Sequence, residues 1–180
     1  AEGDCGACVV IVAALDPLVG VSPEQNRKRS DGLTLRTVNA CLQLLPMLDG
    51  KAIYTIEDLS QACSPHKHSH SGLHPVQEAM VACHGSQCGF CTPGFVMSLT
   101  AMYEDHHEAG TQPARRDIAD GLAGNLCRCT GYRPIIEAGV QSFLAPIHRL
   151  ETAATVDALQ SLAADPALQY CGPSRSGVPG

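Results

Sequence analysis

Two stretches decide the fold and chemistry of this chain: Gly85-Ser86-Gln87-Cys88-Gly89-Phe90-Cys91-Thr92-Pro93-Gly94 and Gly124-Asn125-Leu126-Cys127-Arg128-Cys129-Thr130-Gly131-Tyr132. The first holds a cysteine pair spaced C-x-x-C and the second a pair spaced C-x-C, and each pair stands directly before a helical pattern. Four thiolates that converge on one point can hold zinc or an iron–sulfur cluster. The sequence therefore predicts a metal centre where two separate bends of the chain meet.

The position of each pair before a helix supports this prediction. Residues i and i+2 point the same way only in extended backbone, so Cys127 and Cys129 are expected in a loop, whereas Cys88 and Cys91 can converge through a turn. The start of a helix offers free N–H groups and the positive end of the helix dipole, which favour a negatively charged centre. Three glycines fit a backbone wrapped closely around a compact ligand: Gly89, Gly94 and Gly131.

Spacing alone leaves two interpretations of this centre open. A four-cysteine zinc site would brace the fold without a redox role, whereas a cluster would carry electrons. Zinc sites more often use two C-x-x-C pairs, so the C-x-C pair favours a cluster.

Composition narrows the class of protein. The formal net charge is -6 and the basic residues are scattered, apart from Arg27-Lys28-Arg29, which argues against a nucleic-acid partner. No segment approaches the roughly 20 apolar residues of a membrane span, and no export signal is visible. The ten cysteines fall below the density of a disulfide scaffold. Metal-bound thiolates in a reducing cytoplasm therefore fit better than secretion, and no membrane partner is expected.

Hydrophobic patterning predicts strands first and helices afterwards. Residues 8–15 form a short, β-branched, apolar run typical of a buried strand, and 33–38 is expected to pair with it as an antiparallel hairpin arm. Residues 53–56 are a third strand candidate, and 41–48 a short helical turn. The fold class is therefore α+β.

Amphipathic patterns predict four short helices, over 75–84, 93–107, 115–123 and 134–144. Thr92 is expected to cap the second of them, because Pro93 follows at the first helical position. The fourth helix should bury Ile136, Val140, Phe143 and Leu144. Short connections between these helices predict a compact bundle, and 155–162 could add one more helix.

A second cysteine group lies near the beginning of the chain, at Cys5, Cys8 and Cys41. The plant-type ferredoxin pattern is C-x4-C-x2-C followed by a distant fourth cysteine. Counting back from Cys5, the missing member would be the residue immediately before Ala1. This count predicts that the chain is a fragment that begins one residue too late.

At this point the chain resembles the iron–sulfur part of the xanthine dehydrogenase family of molybdenum hydroxylases. The resemblance spans residues 2 to about 145 and rests on five stretches: 2–8, 38–42, 73–78, 84–93 and 124–134. The stretch from His84 to Gly94 resembles xanthine dehydrogenases more than carbon-monoxide dehydrogenase small subunits, and 44–51 looks like the bacterial form.

The resemblance implies two [2Fe-2S] clusters. The inner cluster, nearer the molybdenum cofactor, would be held by Cys88, Cys91, Cys127 and Cys129. The outer one would take Cys5, Cys8 and Cys41, its fourth ligand being absent, and Gln87 would contact the pterin of the molybdenum cofactor. In the family, electrons pass from molybdenum through both clusters to FAD and then to NAD during purine oxidation.

The resemblance also implies partners and an enzyme class. The chain would be part of an oxidoreductase, while the molybdenum and FAD sites, and with them the catalytic residues, would lie in a molybdenum-cofactor-binding large subunit and an FAD domain. One alternative is the small subunit of another molybdenum hydroxylase, acting on aldehydes, carbon monoxide or a heteroaromatic ring. The other is a structural zinc protein.

The predicted organisation has four parts. A truncated ferredoxin-like β-grasp domain covers 1–63, a linker 64–74, a four-helix [2Fe-2S]-binding bundle 75–148, and a second linker, toward a missing FAD domain, 149–180. Among other residues, Cys83 is expected to be a buried, inert thiol. Five further side chains receive no metal-binding role: His66, His68, His70, Cys63 and Cys171.

Overall fold

The computed structural model describes residues 2–16, 32–59 and 72–165. Within these ranges the chain is α+β, with one small three-stranded sheet followed by five α-helices. The predictions for the three linker histidines and for Cys63 and Cys171 lie outside the described residues. No helix within the described ranges combines the length and apolar character needed to cross a bilayer.

The sheet is built on the predicted hairpin. Strand β1 is Val9–Leu15, β2 is Leu33–Asn39 and β3 is Ala52–Tyr54, and their order in the sheet is β2-β1-β3. Both pairings are antiparallel, with Val9 opposite Asn39 and Ile11 opposite Tyr54. The antiparallel arrangement of the first two strands is therefore confirmed.

The third strand ends earlier than predicted, because a turn begins directly after Tyr54. The Asp58 carboxylate accepts hydrogen bonds from the backbone N–H of Thr55 at 2.7 Å and from its hydroxyl at 2.8 Å. A side chain that satisfies a backbone N–H in this way competes with the sheet for that donor. The predicted strand over 53–56 is thus replaced by Ala52–Tyr54 and a turn.

The segment after β2 returns toward the start of β1. It contains two 3-10 turns, Ala40–Leu42 and Leu45–Leu48, where a single helical turn over 41–48 was predicted. The backbone N–H of Ala40 donates to the carbonyl oxygen of Cys8 at 3.2 Å. This bond extends the hairpin and brings Cys41 beside Cys8.

The predicted helices are present, and none of their bounds differs from the prediction by more than two residues. They are α1 (Pro75–Ala82), α2 (Thr92–Glu108), α3 (Arg115–Gly121), α4 (Arg133–Ser142) and α5 (Ala153–Ala163). The predicted cap of α2 is wrong, because Cys91 occupies the N-cap position and Thr92 is already helical. The Thr92 hydroxyl instead shares a 2.7 Å hydrogen bond with the Ser86 hydroxyl.

The core runs continuously from the sheet into the helices. Helix α2 lies against β1 and β2, and α1 packs against α4. Residues from both parts are fully buried in one cluster, among them Ile11, Leu33, Phe95, Leu99 and Tyr103. Each such side chain stabilises the fold by about 1.5–3 kcal/mol relative to exposure. The loops at the end of the sheet are therefore held at a fixed place beside the loops that precede α2 and α4.

Helix α4 buries a different face from the predicted one. Its buried residues are Ile135, Ala138, Gly139 and Ser142, while Ile136, Val140 and Phe143 are only partly buried and Leu144 is 71% exposed. The reason is close packing, since a Cβ at Gly139 would lie 2.7 Å from Ile118 and 3.0 Å from Leu99. Small residues let α4 approach α2 and α3 closely, and an apolar-stripe argument does not count them.

The segment after α4 is fastened to α2 through a buried carboxylate. Glu104, 1% exposed, accepts a hydrogen bond from the backbone N–H of Leu150 at 3.0 Å and one from Arg149 Nε at 3.0 Å. Arg149 also pairs with Glu108 at 2.6 Å. Helix α5 then returns to the sheet, where the hydroxyls of Tyr54 and Thr155 lie 2.7 Å apart.

Candidate metal centres

Four cysteines from the two opening stretches meet at one place, the inner site. Cys88, Cys91, Cys127 and Cys129 line a single cavity of about 350 Å³. The same cavity is also lined by Phe90, Leu126, Arg128 and Tyr132. The structure therefore brings the four sequence-predicted thiols together.

Both loops of the inner site are shaped by the helices that follow them. Cys91 is the N-cap residue of α2, and its carbonyl accepts the N–H of Phe95 at 3.2 Å. Cys129 lies in the loop that leads into α4. Positive φ angles of 85° at Gly89 and 68° at Gly131 make these turns possible, and both values belong to the region that favours glycine.

Cys127 is the most buried of the four cysteines of the inner site. Its sulfur lies 3.1 Å from the Thr130 hydroxyl and accepts the backbone N–H of Thr130 at 3.4 Å. The backbone N–H of Cys127 donates to the Tyr132 hydroxyl at 3.0 Å, and the Tyr132 ring packs edge-on against Phe95, with centroids 6.0 Å apart. This sulfur is thus surrounded by donors on fixed elements.

The donors around Cys127 favour its thiolate form. Burial raises the pKa of this thiol, but hydrogen bonds from Thr130, Cys129 and Cys91 outweigh burial and lower the pKa to about 7. Its neighbour Cys91 responds in the opposite direction. Burial, together with the hydrogen bond to Cys127 and the charge there, raises the pKa of Cys91 to about 11. One thiolate and one thiol therefore form a pair across the two motifs.

A second pair crosses the motifs in the same way. The backbone N–H of Phe90 lowers the pKa of Cys88, and a hydrogen bond from Cys129 adds to this effect. The same bond raises the pKa of Cys129. Each motif thus supplies one sulfur to each pair, Cys88 with Cys129 and Cys91 with Cys127.

The four thiols of the inner site form one donor set. Nowhere in 2–16, 32–59 and 72–165 do three or more Cys, His, Asp or Glu side chains gather closely enough for one metal ion. Four thiols in one cavity, two from each motif, are the number and type of donors that a [2Fe-2S] cluster uses. The donor set fits a [2Fe-2S] cluster.

Three further cysteines form a second group, the outer site. Cys5, Cys8 and Cys41 line a cavity of about 460 Å³ at the end of the β1–β2 hairpin, and Phe90 lines this cavity as well as the inner one. The backbone N–H of Cys41 points at the sulfur of Cys8, 3.5 Å away, and lowers its pKa. The hydrogen bond to Cys8 raises the pKa of Cys41.

The outer and inner sites touch through their backbones. The N–H of Leu126 donates to the carbonyl oxygen of Cys5 at 2.9 Å, and the Asn125 side chain donates to the carbonyl oxygen of Gly6 at 3.1 Å. Gly94 belongs to the same junction, because a Cβ there would overlap the carbonyl oxygen of Gly6. Its missing side chain therefore makes room for the outer loop, where a compact ligand was predicted.

Sequence reasoning missed Asn125 and Gly6. Their only sequence signal is proximity to a cysteine, since Gly6 lies between Cys5 and Cys8 and Asn125 lies two residues before Cys127. Nothing in their spacing indicates that they meet.

The remaining candidates lie at the edges of these sites. Gln87 is exposed, directly before Cys88, and is not among the residues that line the inner cavity. Cys83 is partly rather than fully buried and packs against the core, where burial and the charge of Glu137 raise its pKa.

Comparison with known proteins identifies the helical part of the chain. A family model described as a [2Fe-2S] binding domain matches residues 55–140. This segment belongs to that family. The matched [2Fe-2S] binding domain contains all four cysteines of the inner site and extends to α4.

Curated relatives extend the likeness beyond the [2Fe-2S] binding domain. The chain is 44% identical over 137 residues to xanthine dehydrogenase 1 of Arabidopsis thaliana, which is 76% of this chain and 8% of that protein. It is 42% identical over 136 residues to human aldehyde oxidase, again 76% of this chain and 8% of the relative. The chain thus spans less than a tenth of the length of these relatives.

Solved structures agree with this placement. The aldehyde oxidoreductase of Desulfovibrio gigas is 27% identical, with a TM-score of 0.55 over 96% of this chain and 14% of that protein. The quinoline 2-oxidoreductase of Pseudomonas putida 86, at 24% identity and a TM-score of 0.55, shares the fold. The resemblance to the iron–sulfur part of the xanthine dehydrogenase family of molybdenum hydroxylases is confirmed.

Proposed function

We propose that this chain is the electron-transfer part of a xanthine dehydrogenase. In this role it relays electrons from a molybdenum cofactor through two [2Fe-2S] clusters to FAD and NAD during the oxidation of hypoxanthine and xanthine. The observation that carries the proposal is the single cavity lined by Cys88, Cys91, Cys127 and Cys129 within the [2Fe-2S] binding domain.

The thiol pairs suggest how the inner cluster would be held. Cys88 and Cys129 would bind one iron, and Cys91 and Cys127 the other, because these are the sulfurs that already share hydrogen bonds. A bound [2Fe-2S] cluster accepts and releases one electron. Hydrogen bonds to sulfur and solvent exposure set the reduction potential of such a cluster. In this chain the potential would be tuned by the Thr130 donors, by the burial of Cys127 and by the helix start at Cys91.

The cysteines at the end of the hairpin would supply three of the four ligands that the outer cluster needs. Cys5, Cys8 and Cys41 share one cavity, and Cys41 already donates its N–H to the sulfur of Cys8. Its contact with the inner loops supports a role as the next centre to receive an electron.

Partners and surroundings follow from the same proposal. Gln87, exposed beside the inner site, would contact the pterin of the molybdenum cofactor. A molybdenum-cofactor-binding large subunit and an FAD domain would supply substrate and NAD chemistry, in the cytoplasm. The proposal keeps the domain organisation predicted from the sequence, which is a β-grasp domain, a linker and a four-helix bundle.

A second candidate is the iron–sulfur part of an aldehyde-oxidising enzyme. The identity to human aldehyde oxidase is within a few per cent of that to the plant xanthine dehydrogenase, and a solved structural neighbour is an aldehyde oxidoreductase. Substrate choice belongs to the molybdenum-binding part. Assays of the holoenzyme with xanthine, an aldehyde and a heteroaromatic ring would therefore separate the candidates, and turnover of aldehydes without purines would reject the first.

The cluster assignment has its own test. Anaerobic purification should give a red-brown protein with iron and acid-labile sulfide in equal amounts. Reduction with dithionite should give rhombic S = 1/2 EPR signals from [2Fe-2S] centres. A colourless protein with zinc in place of iron would overturn the electron-transfer proposal and leave the structural zinc alternative.

A further inference from the structure

We infer that Asn125 is a positioning residue that fixes the outer site against the inner site and thereby sets the electronic and magnetic coupling between the two centres. This inference rests on the proposed function, because it requires a cluster in each site. It concerns the junction between the sites and adds a residue that binds neither metal nor substrate.

The Asn125 side chain is buried and uses both ends of its amide. It is 4% exposed, its Oδ1 accepts a hydrogen bond from the Ser98 hydroxyl at 2.8 Å, and its Nδ2 donates to the carbonyl oxygen of Gly6 at 3.1 Å. A buried amide is costly unless its hydrogen bonds are made. Asn125 therefore holds three elements in one arrangement: helix α2, the loop of Cys127 and the loop of Cys5 and Cys8.

The position of this amide makes it a link between the sites. Gly6 lies one residue after Cys5, and Asn125 lies two residues before Cys127. A shift of the amide would therefore move a ligand loop of one site relative to a ligand loop of the other.

The junction leaves little room for adjustment. Gly6 has a φ of 64°, and a Cβ there would overlap the carbonyl oxygen of Gly124 and lie 2.7 Å from Asn125 Nδ2. Leu126 adds its backbone hydrogen bond to Cys5 at 2.9 Å. The two loops are thus packed backbone to backbone, and Asn125 is the side chain in this junction whose hydrogen bonds mutation can remove.

The coupling between the two centres depends on the distance between them, which this junction fixes. The transfer of one electron, which oxidises one centre as it reduces the other, slows exponentially with the gap between them. Dipolar coupling between two unpaired spins falls with the cube of their distance. A side chain that only stabilised the fold would change neither quantity while both clusters remain bound.

The test uses Asn125→Leu and Asn125→Asp in the holoenzyme. Leucine removes both hydrogen bonds at similar volume, and aspartate keeps the acceptor for Ser98 while placing an oxygen against the carbonyl of Gly6. With full iron content, both variants should narrow the splitting of the two S = 1/2 signals in the fully reduced enzyme and slow electron transfer between the centres. Rapid-freeze EPR measures both effects.

Two controls separate positioning from general stability. Ser98→Ala removes one hydrogen bond of Asn125 but leaves its contact with Gly6, so it should lower the melting temperature without changing the splitting. Asn39→Ser releases the 2.6 Å hydrogen bond from Asn39 to the carbonyl oxygen of Gly3, a bond that involves no residue of the inner loops. It should also leave the splitting unchanged.

Each result decides the matter. Unchanged splitting and transfer rate in iron-replete Asn125 variants overturn the inference. Loss of the outer cluster alone in these variants, with both clusters retained in both controls, supports it, whereas equal loss in Asn39→Ser counts against it. Absence of cluster signals from the unmodified enzyme would instead overturn the proposed function.

Discussion

The inner and outer sites are built from the same residue type but differ in how many elements hold them. The inner cysteines lie in loops that precede two helices, and Cys127 is buried with hydrogen bonds from Thr130 to its sulfur. The outer cysteines lie at the end of a hairpin, and both Cys5 and Cys41 are exposed. The inner site thus has one buried cysteine and the outer site has none, although Cys88 and Cys129 of the inner site are also exposed.

This difference makes the outer site dependent on its neighbour. Its loop is held by hydrogen bonds from Leu126 and Asn125 and by the close approach of Gly94, all of which belong to the inner loops or to α2. Substitutions in the inner loops should therefore also weaken the outer site, whereas a substitution at Cys41 should affect the outer site alone.

The largest expected effect comes from removing one proposed ligand from each site. Cys127→Ala should abolish the inner EPR signal and weaken the outer one, because the loop of Cys127 supports the loop of Cys5. Cys41→Ala should lose the outer signal alone and about half of the cluster iron, since each of the two proposed [2Fe-2S] clusters would hold two irons. Iron, sulfide and EPR are measured on each variant.

Cys83→Ala is the matched control, because this thiol packs against the core away from both cavities. It should keep both signals. Iron content in Cys127→Ala equal to that of Cys83→Ala would contradict the ligand assignment.

The next effect tests the junction itself. Gly94→Ala should lower the free energy of unfolding by about 1–3 kcal/mol, because the new Cβ would overlap the carbonyl of Gly6 and force the loops apart. Gly124→Ala is the control, since a Cβ there meets nothing within 4 Å. Denaturant unfolding measures both, and equal stability of the two variants would show that the loops are not tightly packed.

A smaller effect tests whether the ion pair of Glu104 with Arg149 stabilises the fold without affecting the two sites. Glu104→Gln removes the charge that binds Arg149 and should lower the free energy of unfolding by about 1–3 kcal/mol, while both clusters remain. Glu137→Gln breaks only a half-exposed pair with Arg115 and should change stability by less than about 1 kcal/mol. Cluster loss in Glu104→Gln would mean that the carboxylate supports the sites directly.

The smallest expected effect is a change in the pKa of the Cys127 thiol in the metal-free protein. Cys127 has its pKa lowered from 9.0 to about 7, so its thiolate stabilises the folded state fully above pH 9, and this stability is lost as the pH falls through about 7. Thr130→Val removes the hydroxyl bond and should move the pKa upward. The pH dependence of alkylation at Cys127, followed by peptide mass spectrometry, measures the shift.

Thr111→Val is the control for Thr130→Val. Thr111 shares a hydrogen bond with His106, which lies near the end of α2 that is far from the cysteines. An identical alkylation profile in Thr130→Val and the unmodified protein would exclude the hydroxyl as a cause.

Local patterns in the sequence were sufficient for the elements of the fold. The apolar run after Cys8 predicts β1, and the amphipathic pattern over 93–107 predicts α2. The same reasoning failed for α4, where Ala138 and Gly139 are buried because they are small. Periodicity measures apolar character, and it does not measure how closely two helices can approach.

The sequence by itself determined that four cysteines in two tight pairs would lie at the starts of helices, because spacing, turn residues and periodicity are local properties. Only the tertiary structure decided that Cys88 pairs with Cys129, that Cys91 pairs with Cys127, and that Asn125 reaches Gly6. These contacts join residues from about 35 to more than 100 positions apart. They depend on how the helices and the sheet share one core, which no local pattern records.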